Sequence, residues 1–277
     1  LAKVFGVNPQ ELRYSDHDRY LTLSRMASGE AMAAALSEWR RPASPCNGAL
    51  ILFLRDLWAG AGWGLLDDKG LPKACYHYVK RTLQSIAVLL TDEGGNGLCA
   101  HVINEGEGRQ NLNLEIACWR NGDVLVGKGS KALTLERHSG QTLSCLEVFD
   151  YFMDLNFAYR FGPLTCDVVV ATLRGDRDEI VAQTFYFPGG IDTREEKTVG
   201  LAAQASMLDS CSVEVTLRTE RMALGVHFDV PGFSADDEYF HLVPGEDRRV
   251  TLRSLTPHPV SGFVHAVNAN ASGLVTL

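Results

Sequence analysis

An uninterrupted apolar run from Ala49 to Leu54 stands out in the hydrophobic pattern of the chain. It predicts a strand buried on both faces, as in a parallel sheet or barrel. The run ends abruptly at Arg55 and Asp56, and a loop follows that carries Trp58 and Trp63 among glycines. After Pro72 the residues Cys75, Tyr78, Val79, Thr82 and Leu83 fall on one helical face. Strand, polar and aromatic loop, and helix make a βα unit, and α/β folds place active sites at the carboxyl ends of such strands. Upstream, Met26, Gly29, Met32, Ala33, Leu36 and Trp39 share a face and predict a helix from about Tyr20 to Arg41, with Arg25, Glu38 and Arg41 in solvent. The segment Phe5–Tyr20 predicts a loop or short helical turns, and PASPCNG breaks the chain ahead of the apolar run.

Beyond Gln84 the period changes from helical to alternating. Leu98–Ile103, Leu112–Cys118 and Val124–Val126 predict strands, the last two joined by a tight hairpin at Asn121-Gly122. Further strands are predicted at Ala132–Leu135, Thr142–Leu146, Asp167–Leu173 and Ile180–Phe187. Pro188-Gly189-Gly190 and the charged run Asp192–Lys197 read as a linker. A second β set follows at Val213–Leu217, Leu224–Val230, Phe233–Leu242, Arg249–Leu252 and Gly262–Ala266. Short strands at such spacing predict two immunoglobulin-like sandwiches. The expected domains are 1–85, 86–190 and 191–277. The strand Ala49–Leu54 has no parallel neighbour in this chain. It is therefore expected to be rearranged, packed on the first sandwich, or paired between copies, a route to self-association.

Charge and composition narrow the partners. The formal net charge of -8 disfavours nucleic acid and anionic membrane. No apolar segment approaches the roughly 18 residues of a membrane span, and no signal-like start is present. The first residue is Leu1, so the sequence is expected to be a piece of a longer chain. Seven cysteines without a C-x-x-C pair predict free thiols and a reducing cytoplasm. The eight histidines lack metal-site spacing, so no protein-built metal site is expected.

Two motifs carry a family resemblance. Arg55-Asp56-Leu57-Trp58, Gly62-Trp63, Asp67, Lys73, Tyr76, Tyr78, Lys80 and Arg81 resemble the last barrel strand and helix of β-mannosidases in glycoside hydrolase family 2. Asp236-Asp237-Glu238-Tyr239-Phe240-His241-Leu242-Val243-Pro244-Gly245-Glu246 is similar to a segment of that family's C-terminal sandwich. The chain departs from the pattern at Leu52, Arg55 and Ala59, where the family commonly has Trp, Asn and Pro. The resemblance implies a mainly β chain: the end of a (β/α)8 barrel, one strand with flanking helices, followed by two immunoglobulin-like sandwiches. It also implies a retaining enzyme acting on terminal β-linked mannose without metal or organic cofactor.

Retention requires two carboxyl groups about 5–5.5 Å apart. The resemblance places both glutamates before Leu1, so this chain alone is expected to be structural and inactive. Glu30 and Glu38 read as solvent-facing or helix-pairing residues. The expected substrate-binding residues are Asp56, Trp58, Trp63 and Arg55. Asp56 would hydrogen-bond a sugar hydroxyl or orient a catalytic carboxylate, or else pair with Arg55 or cap the loop. Trp58 and Trp63 would stack on a pyranose or pack on the barrel rim. Arg55 would hold a polar substrate group or form an ion pair.

Other readings stay open: a non-catalytic carbohydrate-binding or adhesion module, or another family 2 activity such as β-galactosidase or β-glucuronidase. The aromatic group Phe149, Tyr151, Phe152, Phe157, Tyr159 and Phe161 reads either as a sugar platform or as packing.

Overall fold

The computed structural model describes residues 1–195 and 199–277. Helices α1 (Ala2–Phe5) and α2 (Pro9–Ser15) form the short turns expected at the start. Asn8 caps α2, its side chain accepting from the amides of Gln10 and Glu11 at 3.1 and 3.4 Å. The long α3 spans His17–Arg40 and α4 spans Ala74–Thr82. On α3, Leu23, Met26 and Leu36 are buried as the helical period requires, whereas Trp39 is exposed. On α4, Cys75, Tyr78, Val79 and Thr82 are buried; Leu83 lies past the helix end and is exposed.

The strands between α4 and Gly190 are β1 (Ile86–Asp92), β2 (Leu98–Asn104), β3 (Gln110–Arg120), β4 (Val124–Leu135), β5 (Ser139–Ser144), β6 (Val168–Arg174) and β7 (Ile180–Tyr186). They form two antiparallel sheets, ordered β1-β2-β5 and β4-β3-β6-β7. Val88, Leu98, Ala100 and Val102 of one face Leu112, Leu114, Ile116, Val169 and Leu173 of the other in a shared core. The hairpin between β3 and β4 turns at Asn121 and Gly122, both with positive φ, as the Asn-Gly signal predicts. The strands expected at Val124–Val126 and Ala132–Leu135 are one continuous strand. Gly127 and Gly129 between them pair with Cys118 and Ile116 of β3, and the register shifts by one residue at Val126.

The remaining strands are β8 (Ala202–Asp209), β9 (Ser212–Arg218), β10 (Ala223–Asp229), β11 (Ser234–Ala235), β12 (Phe240–Leu242), β13 (Arg248–Arg253), β14 (Ser261–His265) and β15 (Gly273–Thr276). Their sheets are ordered β12-β10-β14-β15 and β11-β13-β9-β8. Val213, Val215, Leu217, Val250 and Leu252 pack against Val226, Phe240, Val264 and Val275.

Two compact units result. One comprises residues 1–29, 52–78 and 191–277; the other comprises 30–51 and 79–190. In the first, α4 closes on α3 at Gly29, where an added Cβ would lie 2.1 Å from the Tyr78 ring. The linker residues Ile191 and Thr193 are buried in this unit, and Ile191 donates its amide to Val4. The end of the charged run, Glu196 and Lys197, lies outside the described residues.

In the second unit, buried His101 on β2 is held at both ring nitrogens, 2.7 Å from Thr91 Oγ1 and 2.9 Å from Thr142 Oγ1. Thr91 donates onward to Glu93, which meets Arg41 at 2.9 Å. Burial pushes the His101 imidazole below its ordinary pKa.

The apolar run corrects the sequence reading. Ala49–Leu54 is not a strand, and Leu50, Leu52, Phe53 and Leu54 are exposed rather than covered. A strand needs neighbours for its backbone groups, and among the described residues no parallel strand comes alongside. Phe53 and Leu54 instead accept from the amides of Leu65 and Leu66, at 3.3 and 2.9 Å.

Candidate functional site

The loop after the apolar run is held by one carboxylate. Asp56 is buried; its Oδ1 accepts from the Gly64 amide at 2.7 Å and its Oδ2 from Lys73 Nζ at 2.7 Å. Lys73 also donates to the Gly62 carbonyl at 2.9 Å, so the ion pair clasps the loop from both ends. Lys73, then the Gly64 amide, hold the Asp56 carboxyl below its ordinary pKa. Gly62 and Gly64 allow this approach, since a Cβ on either would collide with the carboxylate, at 2.3 and 2.6 Å. A bridge pairs Arg55 with Leu66, and Lys73 donates its amide to Leu65.

Of the structural alternatives for Asp56, a pair with Arg55 or a cap on the loop, the geometry is that of a loop cap: Asp56 pairs with Lys73, and Arg55 donates to the Asp68 carbonyl. Neighbours in an extended segment point to opposite sides, which leaves Asp56 to a partner 17 residues on. Trp58 and Trp63, on the clasped loop, are 74% and 75% exposed. Asp56 therefore acts as the loop's anchor, and the two indoles are its free surfaces.

The loop borders a cleft of about 1290 Å³ within the first unit. Asp56, Ala59 to Gly62 and Lys73 line it together with Arg25 of α3 and His227, Glu238, Tyr239 and His265 of the second sandwich. The two family-like motifs thus share one cavity. Tyr239, at φ 54, lies flat against His227, with centroids 4.9 Å apart and planes 4° from parallel. The His265 ring stacks 5.5 Å from that of His227, with planes 24° apart, and its Nδ1 is 2.8 Å from Ser272 Oγ.

Burial pushes the His227 imidazole down to about 4, and its Nδ1 donates to the Gly225 carbonyl at 2.8 Å. Burial, helped by neighbouring Asp237, pushes the Glu238 carboxyl up to about 7. The cleft therefore presents a neutral imidazole and a carboxyl poised to donate as well as accept, a combination suited to hydroxyl groups. Arg25, His227 and His265 are not evident from the sequence patterns. The only signal for His227 is a polar residue within an otherwise apolar run, Ala223–Phe228.

The second motif also braces the fold. Asp237 pairs with Arg248, whose guanidinium lies 4.2 Å over the Phe240 ring. His77 of α4 approaches Asp237 at 3.7 Å, so the helix following the clasped loop meets this motif. On α3, Glu38 bonds Arg41 at 2.6 Å, three residues on.

No protein-family model matches the chain. It is 22% identical over 256 residues to a β-mannosidase B of Neosartorya fischeri, a match covering 88% of this chain and 30% of that protein. A β-mannosidase B of Aspergillus niger is 32% identical over 77 residues, 27% of this chain and 9% of that protein. Among solved structures, a β-D-mannosidase from Dictyoglomus thermophilum superposes with a TM-score of 0.78 at 18% identity, over 97% of this chain and 31% of that one. An Amycolatopsis orientalis exo-chitosanase superposes with a TM-score of 0.69 at 15% identity, over 94% of this chain and 34% of that one. The chain spans about a third or less of each of these proteins.

Proposed function

We propose that this chain, whose sequence and fold are those of the C-terminal part of a β-mannosidase-like glycoside hydrolase of family 2, forms the rim of a pocket for terminal β-linked mannose in a retaining enzyme. The observation that carries the reading is the clasped loop: buried Asp56, paired with half-buried Lys73, holds a segment that turns two indoles to solvent. Indole faces pack well against the C–H groups of a pyranose. Arg55 and Asp56 act through the loop, with Trp58 and Trp63 as the contact surfaces.

The two catalytic glutamates are proposed to lie upstream of Leu1, with this chain bracing the barrel wall. A cytoplasmic setting and self-association through the apolar run Ala49–Leu54 belong to the same proposal. The assay is release of p-nitrophenol from p-nitrophenyl β-D-mannopyranoside. The 277-residue chain is expected to give none above buffer, and in the longer polypeptide Trp58→Ala and Trp63→Ala are expected to raise KM. Turnover by the 277-residue chain that disappears in Glu30→Gln would overturn the proposal.

A further inference from the structure

The second unit carries a group of aromatic rings that the clasped loop does not explain. Phe152, Tyr159 and Phe161 are 66%, 51% and 86% exposed. Tyr159 and Phe161 lie nearly parallel, at 14° with centroids 6.5 Å apart, and Phe152 stands edge-on to Tyr159 at 5.6 Å. Exposed rings on a loose loop would collapse together. The segment carrying these rings is fastened along its length.

Gly129 and Gly127 of β4 make room for it. A Cβ at Gly129 would meet the Val148 carbonyl at 2.1 Å, and one at Gly127 would meet Met153 Cε at 2.6 Å. Met153 and Leu155, from the same segment, are buried in the core of this unit. The Asp154 carboxylate accepts from the amides of Ala158 and Tyr159, at 2.9 and 3.0 Å. Asn156 donates to Asp92 at 2.6 Å and to the Gly94 carbonyl at 2.8 Å. Phe157 and Arg160 are held at φ 56 and 55, a conformation bulky residues adopt only under constraint.

We infer that this segment is a carbohydrate-binding platform that stacks the pyranose rings of a neutral β-linked glycan on Phe152, Tyr159 and Phe161. Taking about 200 Å² per aromatic side chain, the three rings offer about 400 Å². That is half of the roughly 800 Å² per partner that a stable protein interface requires, and it suits two sugar rings. The flanking Asp150 and Arg160 are both exposed and, with Asp154, leave the segment 149–161 with two acids against one base, so the platform presents no positive field for an anionic polymer or membrane. Both can hydrogen-bond hydroxyl groups at the ring margins, where C–H faces and hydroxyl edges alternate on a pyranose. The choice of a mannosyl glycan rests on the function proposed above; the platform itself does not.

The test is isothermal titration of the 277-residue chain with β-1,4-linked mannohexaose and, separately, cellohexaose. Binding of mannohexaose is expected, weakened at least about tenfold by Tyr159→Ala, the ring that meets both of the others and so the central aromatic anchor. The triple variant Phe152→Ala/Tyr159→Ala/Phe161→Ala, checked for folding by circular dichroism, is expected to abolish it. Absence of binding to either hexaose at millimolar sugar, or binding untouched in the triple variant, overturns the platform. So does a wild-type dimer in sedimentation that the triple variant converts to monomer, since the rings would then join two copies. Equal, ring-dependent binding of cellohexaose supports the platform and counts against mannose as the sugar.

Discussion

Replacing Gly29 by alanine sets helix propensity against packing at a single atom. In an open helix the change stabilises by about 1 kcal/mol. On α3 the new Cβ would lie 2.1 Å from Tyr78 Cδ2 and 2.6 Å from Cγ and Cε2. Carbon atoms prefer about 3.5–4.0 Å, so the ring must retreat by more than an ångström. Tyr78 is 6% exposed and has little space to do so. Overpacking of this kind costs about 1–3 kcal/mol. At the upper end, less the propensity gain, Gly29→Ala should destabilise its unit by about 2 kcal/mol, lowering Tm by about 4–8 °C. Adding Gly29→Ala to Tyr78→Ala should instead stabilise by about 1 kcal/mol, a coupling of about 3 kcal/mol. Differential scanning calorimetry of the four proteins reads both values. A single Gly29→Ala variant that melts above the wild type would refute the close α3–α4 contact.

Three further outcomes follow from the geometry. Glu238 has a folded pKa of about 7 against an ordinary 4.5, so its stabilising contribution is complete below about 4.5 and is lost as pH rises through 7. His227, at about 4 against 6.5, behaves oppositely: its contribution is present above 6.5 and is lost as pH falls through 4. Urea titrations should therefore find Glu238→Gln more stable than wild type at about pH 8 but not at about pH 4, with His227→Gln flattening the acid limb. Asp56→Ala removes both ends of the loop clasp, and hydrogen exchange at the Gly64 amide should accelerate while exchange in β9 stays unchanged. Gly129→Ala should cost about 1–3 kcal/mol by driving a methyl group into the Val148 carbonyl, and proteolysis within 149–161 should quicken.

Legibility in the sequence followed how local each determinant was. The strand β3 alternates strongly along most of its length, and the Asn121-Gly122 turn needs only its two residues; these elements were readable. The strand β8 was not, because Ala202, Ala203, Gln204, Ala205 and Ser206 give almost no contrast between its faces. Ala49–Leu54 has the composition of a buried strand, but a strand exists only where another supplies its hydrogen bonds, and composition cannot report that. At the site, Asp56 and the two tryptophans were legible as polar and aromatic punctuation after an apolar run. The partnership of Asp56 with Lys73 was not, since adjacency suggested Arg55 and the true contact depends on how the loop folds back. Glu238 stands within a recognisable motif, yet its raised pKa arises from burial that only the packed sandwich creates.

The interleaved composition of the two units has a consequence for inheritance. The chain runs through 1–29, 30–51, 52–78, 79–190 and 191–277, alternating between them, so it crosses from one to the other four times. No single genetic breakpoint can transplant either unit whole. A recombination event that replaced everything after residue 190 would import one sandwich while leaving behind the helix and loop segments packed with it. Lineages carrying this arrangement should therefore diversify by point substitution and loop-length change within each unit, and chimeras between distant relatives should fold best when all five segments descend from one parent.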